Sequence, residues 1–286
     1  MLAPTHPGIA LLAALLGGCI GSFLNVVAWR LPRQESVVKP RSHCPRCGTT
    51  LAWHDNIPIL SWLLLGGRCR HCDAGISGRY PAVELLCSGL FVAAVTSANN
   101  VTAQGSSLPG APALLAVVSG WLLISLLLPL LLIDLDRLWL PEPLCRWGVL
   151  TGLALSAIAG FSQGDELGRQ LVLWHGLAAS VGLLGFESTS ALAQKLLHKP
   201  ALGLGDAKLA ALIGGWLGLT GLGLSVVLSV FLGALFGLIG LISGRLKRGQ
   251  PFPFGPFIAA SGLAVWFLGN AFWLQRIGDW LGWNNL

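Results

Sequence analysis

Two stretches of the chain set ionisable side chains against apolar surroundings. Gly203-Leu204-Gly205-Asp206-Ala207-Lys208 puts a carboxylate and an ammonium at the mouth of an apolar run. Gly203 and Gly205 stand where a backbone can turn tightly or be approached closely. Upstream, Asp134 ends the apolar run Trp121 to Ile133 and is followed by Leu135-Asp136-Arg137. An ionisable group at membrane depth is costly and so marks a functional position. Two carboxylates held together can supply both a base for water and an acid for a leaving amine, because close like charges do not both ionise readily. Asp134 and Asp206 are therefore expected to meet across a helix bundle as an aspartyl protease dyad. Which of them starts as the base stays open. Asp136, two residues on, would face elsewhere on a continuing helix. Lys208 is expected to support the site by stabilising the acid, by pairing with Asp136 or by binding a lipid phosphate.

A second constellation is Cys44-Pro45-Arg46-Cys47 and Cys69-Arg70-His71-Cys72, two C-x-x-C knuckles with 21 residues between them. That spacing is close to four-cysteine zinc sites. Thiolates suit a tetrahedral zinc, and a closed four-ligand site is structural. The competing reading is a redox pair or free thiols. Cys19, Cys87 and Cys145 lie in or beside apolar runs and read as small packed hydrophobes. Between the knuckles, Trp53 to Trp62 could dock the loop on a membrane surface or pack within the loop. Glu84, one turn into the next apolar run, reads either as a helix-start acid or as a functional group.

The elements that must position these groups are membrane helices. Of the 286 residues, 54% are hydrophobic and 10% charged, where a soluble domain carries roughly a quarter charged. Abundant glycine, 38 residues, suits closely packed membrane helices. No cleavable signal peptide is expected at the start of the chain. Apolar runs predict an all-α polytopic membrane protein of about eight spans, near 7–28, 81–98, 112–133, 146–162, 170–190, 208–220, 222–243 and 256–273. The sixth is short and barely separated from the seventh, so a re-entrant pair is an alternative there. Two regions are expected: 1–80, a first helix plus the cysteine loop, and 81–286, the catalytic membrane region. All 18 Lys and Arg residues except Arg169 and Arg276 fall in 29–80, 134–146, 195–208 and 245–248. Alternation puts those segments on one side, which the positive-inside rule makes cytoplasmic, with both acids at that face. The net charge of +6 thus reflects topology and not a nucleic-acid partner.

Taken together, these residues resemble the prepilin leader peptidases of type IV pilus and type II secretion systems. The resemblance is carried by Gly21-Ser22-Phe23-Leu24-Asn25 with Arg30-Leu31-Pro32, the paired knuckles, and Ile76-Ser77-Gly78-Arg79-Tyr80-Pro81 through Glu84. It continues in Asp134-Leu135-Asp136 with Leu140-Pro141, in Gly203-Leu204-Gly205-Asp206, and in Pro253-Phe254-Gly255-Pro256-Phe257. Glu142 stands where the family usually has aspartate. The resemblance implies cleavage of a prepilin or pseudopilin leader after a glycine, at the cytoplasmic face of the bacterial inner membrane. It also implies N-methylation of the new terminus from S-adenosylmethionine, with no dinucleotide-type glycine motif to mark that site. Membrane lipids and a substrate helix with a basic leader are the implied partners. A transporter and a zinc-bearing scaffold are the rival readings. The first would prefer acids near the midplane, and the second leaves Gly203 to Asp206 without a role.

Overall fold

The computed structural model describes residues 7–102, 107–197, 203–247 and 252–282. The basic residues Lys199 and Arg248 lie outside them. Among the described residues the chain is helical, with two isolated β-bridges, His43–Thr50 and Arg68–Gly75. It divides into two compact units, Met1–Thr96 and Ser97–Leu286. The expected boundary at 80/81 would have placed the second apolar helix with the later ones, whereas that helix belongs to the first unit.

In the first unit, α1 (Pro7–Arg30) packs antiparallel against α3 (Arg79–Thr96). Glycines make the close approach possible. A methyl on Gly17 would lie 2.8 Å from the Cys87 carbonyl, and one on Gly21 would lie 2.9 Å from Glu84 Cα. The loop between them carries the short helix α2 (Leu60–Leu64) and both knuckles. It is tied to the helices by polar bonds: Asn25 donates to the Tyr80 carbonyl at 3.2 Å, and Ile59 N–H donates to Glu84 Oε2 at 2.7 Å.

The second unit contains α4 (Ala98–Thr102), α5 (Ala113–Arg137), α6 (Glu142–Phe161), α7 (Asp165–Leu197), α8 (Leu204–Ile242) and α9 (Gly255–Leu281). Large apolar side chains such as Leu173, Trp174 and Phe231 face outward, while Ser119, Ser156, His175 and Ser225 are buried. That inversion suits a lipid surround. Seven described helices are long and apolar enough to cross a membrane.

One of these, α8, is two helices. Gly218 interrupts it with φ 67°, ψ −173°, a conformation open essentially to glycine alone. The contacts on either side show that the chain doubles back there. Before the break, α8 runs parallel to α9, with Ile213 against Gly262. After it, Gly221 lies by Asn270, just past a break in α9 at Gly269 (φ 77°), and Gly233 lies by Phe254 at its start. The sixth and seventh apolar runs of the sequence are the two arms of this hairpin, and its turn falls at Gly218 rather than at Gly221-Leu222-Gly223. The first arm, 204–217, is about 21 Å long, short of roughly 30 Å of hydrocarbon. It is buried from Ala207 to Leu217 apart from the half-buried Lys208, sheathed by α6, α7 and α9. Small residues allow that sheathing: a methyl on Gly214 would lie 2.5 Å from the Ala178 backbone, and one on Gly182 would lie 2.7 Å from the Ala210 carbonyl.

His175 braces the turn. Its Nδ1 lies 2.8 Å from Ser156 Oγ and 3.1 Å from the Gly215 carbonyl, and its Nε2 lies 3.2 Å from where a Gly218 Cβ would stand. Gly218→Val is therefore expected to destabilise the second unit by about 1–3 kcal/mol, from backbone conformation and collision with His175. Thermal unfolding in detergent should show a lowered midpoint. An unchanged midpoint would count against the hairpin turn.

Candidate active site

Asp134 sits in the last turn of α5. The helix stops just beyond it because Leu138 adopts a left-handed conformation (φ 53°) and returns its N–H to the Asp134 carbonyl at 2.9 Å. The following Trp139-Leu140-Pro141 leads into α6, with Pro143 in its first turn. Asp206 is the third residue of α8. Its Oδ2 accepts the N–H of Gly203, the residue before the helix, at 3.1 Å, one half of a capping box. Gly205 lets the start of α8 reach the α5–α6 connection, since its absent methyl would lie 3.0 Å from Leu140 Cβ.

The two acids lie at the same end of the second unit, since the start of α8 beside Asp206 rests against Leu140, in the connection that follows Asp134. Asp134 is 5% exposed and Asp206 is 9% exposed. Asp136, by contrast, is exposed. Lys208 contributes differently from the three expected roles. Its Nζ is 3.0 Å from Glu142 Oε2, joining the first turns of α8 and α6.

The site has a member that sequence reasoning matched to a family motif without giving it a role. Gly255 opens α9, and its N–H donates to Asp134 Oδ2 at 3.0 Å in a buried setting. A methyl on Gly255 would stand 2.7 Å from that same oxygen. A glycine followed by proline at a helix start was the only available signal, and it does not say which side chain the free amide meets.

In the first unit, the sulfurs of Cys44, Cys47, Cys69 and Cys72 all lie within 4.8 Å of one another. The Cys44–Cys72 separation is 3.8 Å, the spacing of about 3.8 Å that a tetrahedron with bonds of about 2.3 Å requires. The knuckles are built alike. Gly48 N–H donates to the Cys44 carbonyl and Asp73 N–H to the Cys69 carbonyl, with left-handed Gly48 (φ 71°) and Asp73 (φ 53°) in equivalent places. Bonds from the Thr49 hydroxyl and amide bring the Cys47 thiol down to about 6, and the His71 and Cys72 amides lower Cys69. Although the Ala74 amide donates to Cys72, burial and the neighbouring sulfurs push that thiol up to about 12. Four thiolates so close repel one another, and a dication removes that conflict. The donor set therefore fits a metal.

The stretch between the knuckles packs partly within the loop. Trp62 donates to the Ile76 carbonyl at 3.0 Å and lies against Gly67, whereas Trp53 is exposed. Asp55 is held at 2.7 Å by Arg70, and that hydrogen bond keeps its carboxyl below the usual range. Glu84 is buried, with Ile59 N–H and the Ser22 hydroxyl as donors.

Residues 15–98 match the family model described as the Bacterial Peptidase A24 N-terminal domain, and residues 121–238 match that of the Type IV leader peptidase family. A prepilin leader peptidase/N-methyltransferase of Myxococcus xanthus is 40% identical over 237 residues, which cover 83% of this chain and 64% of that protein. A type 4 prepilin-like proteins leader peptide-processing enzyme of Escherichia coli is 36% identical over 288 residues, covering 92% of this chain and 96% of that protein. A prepilin leader peptidase/N-methyltransferase of Aeromonas salmonicida is 34% identical over 281 residues, 88% of each chain. The chain thus spans less than two thirds of the first relative and nearly all of the second. No solved structure is significantly similar to it. With family models matched at residues 15–98 and 121–238, and relatives 34–36% identical over 88–92% of its length, the chain belongs to the type IV leader peptidase family.

Proposed function

We propose that this chain is a membrane aspartyl endopeptidase that removes the leader of type IV prepilins or type II secretion pseudopilins, cutting after a glycine, and that it also N-methylates the new terminus from S-adenosylmethionine. One observation carries the peptidase reading. Two buried carboxyls, one ending α5 and one opening α8, lie at the same end of one bundle, each held by a backbone amide at a helix start. A transporter would place its acids nearer mid-bundle.

Asp134 and Asp206 share one proton. The ionised partner takes a proton from water as it attacks the scissile carbonyl, and the protonated partner gives its own to the leaving amine. The pair titrates as a unit. The Gly255 amide fixes which way the Asp134 oxygens point, and the Gly203 amide does the same for Asp206. Gly205 and the Lys208–Glu142 pair hold the start of α8 against the α5–α6 connection. The substrate is a single membrane helix with a basic leader, and lipids surround both. The clustering of basic residues in the segments at this end supports a position at the cytoplasmic face of the bacterial inner membrane. Cys44, Cys47, Cys69 and Cys72 hold one structural zinc that fixes the fold of the loop.

Asp134→Asn and Asp206→Asn should each lower leader cleavage by at least about 100-fold with membrane insertion intact. Asp136→Asn should keep measurable cleavage. Mass spectrometry of a cleaved prepilin decides the matter, and near-normal cleavage by Asp206→Asn would refute the dyad. Gly255→Ala forces a methyl onto the Asp134 carboxyl. Its cleavage rate should fall on the order of tenfold to 100-fold through misplacement of that acid, and wild-type kinetics would remove Gly255 from the site. Elemental analysis should find about one zinc per chain, lost in Cys69→Ser together with the protease resistance of the loop. Zinc-free protein with four reactive thiols would exclude the metal.

A further inference from the structure

The loop of the first unit carries no charged residue from Asn56 to Gly67, and Ile57-Pro58-Ile59-Leu60-Ser61-Trp62-Leu63-Leu64-Leu65 is almost wholly apolar. A run of this length is too short to span a bilayer and suits a buried or a re-entrant segment. This one is not buried. Ser61 is enclosed and Trp62 donates inward to the Ile76 carbonyl, whereas Leu60, Leu63 and Leu64, one face of α2, are exposed, Leu64 by 86%.

The depth of the segment is set by α1 and α3. α3 has 18 residues, about 27 Å, so nearly all of it is needed to cross roughly 30 Å of hydrocarbon. The bilayer boundary therefore lies at its Arg79 end, where Asn25 of α1 meets the Tyr80 carbonyl. Inward from that level the two helices stay in contact, Gly21 against Glu84 and Gly17 against Ser88. The loop follows them down. Ile59 N–H reaches Glu84, which lies about 7 Å along α3 from Arg79. A methyl on Gly18 would stand 3.5 Å from Pro58 Cβ, and Gly18 lies about 10 Å along α1 from Asn25, toward the bilayer centre.

The backbone is built for that depth. Hydrocarbon has no water to pair a free amide, so non-helical chain persists there only with its polar groups satisfied. Ile57 N–H donates to Ser61 Oγ at 3.0 Å, and Pro58 has no N–H to pair. Ile59 N–H donates to Glu84 Oε2 at 2.7 Å, and the Leu60 and Ser61 amides donate to the Pro58 and Ile57 carbonyls. The Ser61 hydroxyl donates in turn to the His54 carbonyl at 2.7 Å. Ile59 is held at φ 65°, ψ −52°, an outlier for a β-branched residue that only surrounding contacts sustain. Exposed Trp53 and exposed Arg68 flank the segment, and both residue types favour the membrane interface.

We propose that the segment 57–67 is a re-entrant anchor. The chain dips into the leaflet at the Arg30 end of α1, α2 lies among its acyl chains through Leu60, Leu63 and Leu64, and Glu84 is the acceptor that holds the entry. Phospholipid hydrocarbon is thus the partner of the exposed leucine face, and the anchor fixes the height of the knuckles at the membrane surface. The anchor requires that α1 and α3 cross the membrane and is independent of what the second unit cleaves.

The full chain, reconstituted in vesicles of phosphatidylethanolamine and phosphatidylglycerol, should be prepared with photo-reactive benzoylphenylalanine singly in place of Leu60, Leu63 or Leu64. These positions are exposed, so the probe disturbs no packing. Irradiation should attach each probe to lipid, with mass spectrometry placing the new bond on acyl-chain carbons. With the probe in place of Leu60, Leu64→Asp should lower that attachment at least about tenfold, because a carboxylate in hydrocarbon draws α2 outward. Leu64→Ala should leave it near its original level. Glu84→Ala should lower it as well, and Glu84→Gln, which keeps an acceptor for Ile59, should retain it. Attachment to headgroups alone would place α2 at the surface, and attachment to a protein segment would make its leucines a protein interface. Either result, or no attachment, would overturn the anchor. Equal losses in Leu64→Asp and Leu64→Ala would overturn it too, since the leucine would then act by packing and not by its place in lipid.

Discussion

The hydrogen bond from Gly255 N–H to Asp134 Oδ2 joins the end of one membrane helix to the start of another. Every helix start leaves backbone amides without an intrahelical partner. A buried amide left unpaired costs about 1–3 kcal/mol, and lipid offers no water to replace the partner. In this chain the acids themselves meet that need. Asp134 satisfies the first amide of α9, and Asp206 satisfies the amide just ahead of α8. The bonds that complete the helices therefore also orient the two candidate acids.

For those bonds to form, the starts of α8 and α9 must lie at one end of the bundle. A straight α8 would carry the chain to the opposite end before α9 began. The reversal at Gly218 prevents this, and His175, held near Ser156 and the Gly215 carbonyl, packs against it. The first arm of the hairpin is too short to meet lipid across a full bilayer, and it has no need to, because α6, α7 and α9 surround it. Glycine permits that enclosure. Gly148 accommodates Leu212, Gly152 accommodates Trp216, and Trp216 reaches the Gly148 carbonyl at 2.7 Å.

The first unit follows a different logic. Among its described residues the loop fully buries only two hydrophobic side chains, Cys44 and Cys69, and both belong to a metal-compatible sulfur cluster that stands in for a core. Glu84 and Asn25 then tie the loop to α3 and α1. A loop pinned at both the sulfur cluster and the membrane helices can line a cavity and hold Ile59 in a conformation it would otherwise leave.

The sequence by itself determined the all-helical membrane class, the four cysteines that gather into one cluster, Asp134 and Asp206 as the candidate acids and the existence of two separate apolar runs between 208 and 243. These follow from composition, spacing and charge, which are local or one-dimensional quantities. Only the tertiary structure decided the rest. Hydropathy could not say that the sixth and seventh runs form a hairpin turning at Gly218, because glycines at 214, 215, 218, 221 and 223 look alike in sequence and only packing selects the one that breaks. Lys208 had three plausible partners, and the neighbour it found, Glu142, comes from a helix starting 66 residues earlier. The amide of Gly255 meets Asp134 across 121 residues. A side chain announces what it can bond, but the identity of its partner is settled where helices distant in sequence are brought end to end.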